Sequence, residues 1–213
     1  AGLTFADVGQ LVHGTTLVTN TIIERTGAKV GLITTRGSRD TIEMGKETRY
    51  DLYDLFLESP PTLVPRHLRR EVAERISADG EVLLEFDADG FRTTARDLIE
   101  TEQVEAIAIC FMHAYVDGRH EARANELVLA EFPDAYSCVS HELLPERKFY
   151  ERVSTTCINA FVGPILRNYL GALDASLRDE GFGGALRVMK SNGGIMSPEV
   201  AVREAAHTIL SGP

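Results

Sequence analysis

The chain has 213 residues, and its 22 lysines and arginines face 32 aspartates and glutamates, a formal charge of −10. Hydrophobic residues make up 44% and charged residues 25%, the balance of a globular protein with a sizeable core. The acidic excess, with no basic run to offset it, argues against nucleic acid as a partner, and no apolar run approaches the ~20 residues that span a bilayer. The N-terminal AGLTFADVGQ has neither a basic nor an apolar leader region. Cys110, Cys138 and Cys157 are too widely spaced for a zinc pattern and too few for a disulfide framework. A reducing, cytoplasmic setting fits these features best.

In chain order, VGQLVHG predicts a strand running into a turn, and TLVTNTIIERTG a helix that stops at Gly27. AKVGLITT is a strand rich in β-branched residues, which makes the first three elements a βαβ unit with a parallel crossover. A short helix over RDTIEMG follows, then a surface excursion over 46–66, where Pro60, Pro61 and Pro65 exclude a central strand or helix. REVAERIS and EVLLEFD read as two strands joined at Asp79-Gly80, a hairpin signal. TTARDLIETEQV is a helix capped by Thr93 or Thr94. The nearly unbroken apolar run EAIAICFMHAY predicts a central strand buried on both faces, with Cys110 a small core residue.

GRHEARANELVLAEF is an amphipathic helix and AYSCVS a further strand. Residues 149–181 are mostly helical, with Pro164 expected to kink the helix or start a new one. LRVMKSN is a strand ending at Gly193-Gly194, and Ser197-Pro198 opens a last helix. The chain closes on TILSGP, a strand-like run that reads as interior to a longer protein. Alternation of helix and strand makes the fold α/β with a mixed sheet and flanking helices.

Two strand ends carry the candidate chemistry. His13-Gly14-Thr15-Thr16 puts a glycine and two hydroxyls at a helix start, where backbone N–H groups can meet an anion; Thr15 or Thr16 could equally cap the helix. Asn20 stands one turn on, facing the same site or bonding locally. Ser191-Asn192-Gly193-Gly194 repeats the pattern, though Asn-Gly-Gly is also a turn signal, and Ser211-Gly212 would add a third strand end. Glu151, Arg152 and Thr155 form either a solvated face or a polar cleft wall. There is no Walker A loop, no nucleophile elbow and no metal-ligand spacing around His113 and His120, so no resident metal is expected.

The ordered blocks HGTTLVTNTIIERTGAKVGLITTRGSRDTIEMGKETRYDLYDL, LVPRHLRREVAERISADGEVL, SHELLPERKFYERVSTTCINAFVGP, MKSNGG and TILSGP resemble the hydantoinase A/oxoprolinase family over nearly the whole chain. The resemblance implies part of an actin-like ATPase of the sugar-kinase and heat-shock type. Residues 1–147 would form the family's N-terminal domain, and 148–213 the start of its hydantoinase A domain. It also implies ATP with Mg²⁺, opening of a cyclic amide by phosphorylating its oxygen, a hydantoinase B-type partner and an oligomeric assembly. HGTT and RYDLYDL lean towards the family's N-methylhydantoinase and ketone-carboxylase branch, and carboxylation of a ketone and a non-catalytic structural subunit are the alternatives. The family's aspartate-bearing phosphate loops would lie before residue 1 and after Pro213. The catalytic residues would therefore lie outside the chain, and the isolated chain is expected to be inactive.

Overall fold

The computed structural model describes residues 2, 4–46, 53, 54, 56 and 60–209. It divides into two compact units, residues 29–160 and the pair of segments 1–28 and 161–213.

The 29–160 unit is built on a four-stranded, all-parallel sheet. Its strands are β2 (Val30–Thr35), β3 (Arg69–Val72), β6 (Ala106–Cys110) and β7 (Tyr136–Val139), in the order β3-β2-β6-β7. β6 is the inner strand expected from its apolar run, and all five of its residues are 0% exposed. It ends at Cys110, five residues before the end of the apolar run at Tyr115.

Helices cover both faces, as the alternation of side chains shows. Gly31 and Ile107 are register partners, and a Cβ on Gly31 would meet Leu98, just beyond α3 (Ala88–Arg96). On the opposite face, Cys138 Sγ donates to Thr156 O at 3.5 Å and Asn159 Nδ2 to Tyr136 Oη at 2.9 Å, both from α6 (Phe149–Asp179). α2 (Thr41–Met44) follows β2, and α4 (Arg119–Glu131) and α5 (Ser140–Leu143) bracket β7.

A separate hairpin pairs β4 (Arg75–Ile76) with β5 (Val82–Leu84), turning at Asp79-Gly80 as expected. REVAERIS thus supplies two strands, one to the parallel sheet and one to the hairpin. The cap of α3 differs from the sequence expectation. Asp87, not a threonine, accepts from Gly90 N at 2.9 Å, while Thr93 and Thr94 lie inside the helix and donate to carbonyls four residues back. The helix opens five residues before Thr93 because Asp87 is the stronger cap. It continues into a π-helical turn, Asp97–Thr101.

The second unit holds a three-stranded mixed sheet, β1 (Gln10–His13), β8 (Ala185–Met189) and β9 (Ile195–Met196), in the order β1-β8-β9. β1 and β8 are parallel; β8 and β9 are antiparallel. The predicted βαβ crossover is therefore corrected: β1 and β2 flank α1 (Leu17–Glu24) but lie in different sheets. β1 finds its partner 175 residues downstream. A Cβ on Gly184 would sit 2.5 Å from Val8 O, so only glycine lets β8 begin against that backbone.

α1 stops on Arg25 in the left-handed region (φ 54°), not at Gly27. α6 runs unbroken for 31 residues through Pro164. Ala28 N donates to Phe161 O at 2.9 Å, three residues before that proline. After α7 (Pro198–Arg203), capped by Ser197 as expected, Ala205–Thr208 is a 3-10 turn, and the strand-like run of TILSGP lies, from residue 210 on, outside the described residues.

Candidate functional site

The register of β1 and β8 aligns His13 with Val188, so the loops leaving the two strands emerge side by side at their carboxyl ends. That edge of a parallel pair is where open α/β sheets bind ligands. His13-Gly14-Thr15-Thr16 and Ser191-Asn192-Gly193-Gly194 are therefore brought to one edge of one sheet. Gly14, Thr16, Asn20 and Ser191–Gly194 are exposed there, and Thr15 is half-buried.

Each motif has a definite local form. His13 Nε2 shares a hydrogen bond with Tyr169 Oη at 2.9 Å, and burial pulls its imidazole below the ordinary value, which keeps the ring neutral at pH 7. Thr15 Oγ1 accepts from Leu17 N at 3.1 Å. Thr16 occupies the cap position without a side-chain capping bond, which leaves its hydroxyl facing water. Asn20 N donates to Thr16 O at 2.9 Å as part of the first helical turn.

Ser191-Asn192-Gly193-Gly194 makes the turn of the β8–β9 hairpin. Gly193 is left-handed at φ 84°, and Gly194 N donates to Asn192 Oδ1 at 3.1 Å. Ser191 Oγ and N both donate to His207 O, at 2.7 and 2.8 Å. The turn reading of this motif and its place at the strand edge thus hold together. Ser211 and Gly212 lie outside the described residues.

The 151–155 candidates belong to the start of α6, and they diverge. Glu151 is half-buried and pairs with Lys46 Nζ at 2.8 Å, which lowers its carboxyl below the usual range. Thr155 is half-buried. Arg152 is neither solvated nor a cleft wall: it is 0% exposed, with Nη1 donating to Ser140 Oγ at 2.6 Å and Nη2 to Phe111 O at 2.9 Å.

Arg152 enters a buried network that the sequence did not announce. Glu121, also 0% exposed, accepts from Phe111 N (2.7 Å) and Ser140 Oγ (2.6 Å) on one oxygen and from His141 N (2.8 Å) and Nδ1 (2.7 Å) on the other. Beside it, Glu74 accepts from Thr35 Oγ1 and from His120 Nδ1 at 2.9 Å. Charges taken this far from water persist only when their hydrogen bonds are supplied. The sequence offered no signal of this burial, since His120-Glu121 stands between Arg119 and Arg123 and Glu74 beside Arg75, as surface charges would.

Burial raises the Cys110 thiol to about 12, so it is a core residue and no nucleophile. Among the described residues no three His, Cys, Asp or Glu side chains gather as a metal's donor set. None of the helices among them is long and apolar enough to cross a membrane.

Residues 2–132 match the family model described as hydantoinase/oxoprolinase N-terminal region, and residues 152–213 the hydantoinase/oxoprolinase model. The chain is 38% identical to the caprolactamase subunit alpha of Pseudomonas jessenii, over 98% of this chain and 30% of that protein. It is 31% identical to the acetone carboxylase beta subunit of Xanthobacter autotrophicus, over 95% and 29%. With 5-oxoprolinase 1 of Arabidopsis thaliana it shares 28%, over 94% and 17%. The crystal structure of the ATP-dependent caprolactamase superposes with a TM-score of 0.90 at 36% identity, over 98% of this chain and 30% of that one. Nucleotide-free acetone carboxylase superposes with 0.85 at 30% identity, over 97% and 30%. The chain thus spans about 30% of the length of the first two relatives.

Proposed function

This chain belongs to the hydantoinase/oxoprolinase family, and from that premise we propose that the full-length protein is an ATP-dependent cyclic-amide hydrolase. Caprolactamase and 5-oxoprolinase act, by their names, on cyclic amides, and the caprolactamase structure is that of an ATP-dependent enzyme. The observation that carries the reading within this chain is the pairing of two exposed loops at the carboxyl ends of β1 and β8. ATP supplies a phosphoryl group that activates the amide oxygen. Gly14 would allow close backbone approach there, and the hydroxyl of Thr16, with the start of α1 behind it, would face the phosphate oxygens. His13, neutral and tied to Tyr169, positions this loop.

Mg²⁺ accompanies ATP in this proposal. The described residues do not fit the ion, and no step is assigned to it through them. The actin-like architecture, the cytoplasmic setting and a hydantoinase B-type partner belong to the same proposal. The partner is supported by relatives that are themselves named as subunits. The division at 147/148 is likewise proposed, supported by family matches that stop at 132 and resume at 152. Similarity to the acetone carboxylase beta subunit favours a second reading, an ATP-dependent ketone carboxylase subunit.

The test replaces Thr15 and Thr16 by alanine in the full-length protein assembled with its partner subunit. ATP turnover is followed with a cyclic amide and, separately, with a ketone plus bicarbonate. Turnover is expected to fall roughly tenfold or more while stability changes by only about 1 kcal/mol, the worth of a helix cap. Unchanged turnover would leave the threonines as structural residues. Turnover only with the ketone would select the carboxylase.

A further inference from the structure

A cavity of about 610 Å³ lies between the later turns of α6, the start of β8 and α7. Leu170 and Gly171 line it from α6, Leu186 and Arg187 from β8, and Pro198 and Val202 from α7. All six belong to the unit completed by residues 161–213. β9 pairs only with Val188 and Met189, so over Ala185–Arg187 the strand β8 has its ladder on the β1 side alone. Continued, the antiparallel register would set Pro198 opposite Leu186, and proline has no N–H to give. The cavity lies where that ladder ends.

All three elements give it apolar side chains, and Leu170 and Leu186 are buried. Gly171 stands exposed in the middle of α6, and a Cβ there would meet nothing within 4 Å. Glycine is a poor residue for a helix interior, and here its missing side chain keeps the cavity open. Arg187 is half-buried, and among the described residues no carboxylate lies within 4.0 Å of it. Glu199, held below the ordinary carboxyl range by the Ser197 hydroxyl first and by Arg187 last, is exposed. The other lining acid, Asp174, is taken by Arg178 at 3.5 Å, and Arg178 also donates to Phe182 O and Gly184 O at 3.1 and 3.3 Å.

Apolar walls with an uncommitted guanidinium among them, around a cavity of this size, make the outline of a small-molecule site. We propose that the cavity binds a small carboxylate with an aliphatic body, its oxygens on Arg187 and its chain along Leu170, Gly171 and Leu186. The planar fork of arginine matches the two oxygens of a carboxylate, and the chain displaces water from the leucines. The inference is independent of the reaction proposed above, for the cavity lies along the amino half of β8 and the loops of that site leave its carboxyl end.

Calorimetric titration of the full-length protein tests this with octanoate and, as the same chain with the opposite charge, octylamine. Saturable binding of octanoate is expected, and none of octylamine. Arg187→Gln should weaken octanoate binding about tenfold, and Arg187→Lys should restore part of it. Gly171→Leu places a side chain in the open space and suits the helix better than glycine. It should abolish octanoate binding while the melting temperature holds or rises. Octanoate that fails to saturate, octylamine that binds equally, or an octanoate affinity unchanged in either Arg187→Gln or Gly171→Leu overturns the proposal.

Discussion

At His141 two influences compete. Burial disfavours the imidazolium, while the hydrogen bond and charge of Glu121 favour it and prevail, so the folded pKa lies above the ordinary 6.5. A raised histidine pKa stabilises the fold at pH below the unfolded value, and that contribution fades as pH climbs through the folded pKa. His13 and His113, both lowered, contribute in the opposite direction. The difference in unfolding free energy between wild type and His141→Gln should therefore be largest near pH 5.5 and shrink towards pH 8.5, as urea denaturation across that range can check. The same network shows where sequence reading stopped. Arg152 sits in a charged stretch that looked surface-exposed. It is buried because Glu121, Ser140 and Phe111, 12 to 41 residues away, supply its partners. Spacing along one helix carries no trace of such neighbours. The strand-end motif His13–Thr16 was legible, because glycine and hydroxyls after a strand are a local pattern.

Elements were legible where the pattern was local and strong. β6 declared itself through five consecutive apolar residues, and the β4–β5 hairpin through Asp79-Gly80. Pairing was less legible: β1, α1 and β2 follow one another like a crossover unit, yet the hydrogen-bond partner of β1 is β8. Nothing in 10–35 encodes that choice, which depends on a strand beginning at Ala185 and on the bare backbone of Gly184. Helix boundaries were the other weakness, and α3 offers a direct check. Asp87→Ala should cost about 1 kcal/mol by removing the cap bond to Gly90 N. Thr93→Ala should cost little or stabilise, since it removes a mid-helix hydroxyl bound to Asp89 O and supplies a better helix former. Chemical denaturation of the two variants reads the contrast, and an equal loss in both would restore the threonines as caps.

At the scale of the molecule, the 29–160 unit is continuous in sequence while the other is assembled from 1–28 and 161–213. The chain leaves and re-enters the second unit at one point, where Ala28 N meets Phe161 O. A protein cut to residues 29–160 should keep its parallel sheet and a cooperative urea transition, since β2, β3, β6 and β7 and the buried networks of Glu74 and Glu121 all lie within it. Circular dichroism together with tryptic resistance would show this, and a broad, non-cooperative transition would refute it. The arrangement also sets an order of events on the ribosome. Residues 29–160 emerge complete and can close their sheet while β1 still waits for β8 to be translated. Throughout that interval Gln10–His13 is a nascent strand without its mate, exposed to mispairing and to capture by chaperones. The loop after β1, to which we assign the phosphate, is therefore among the last parts of the described chain to take shape.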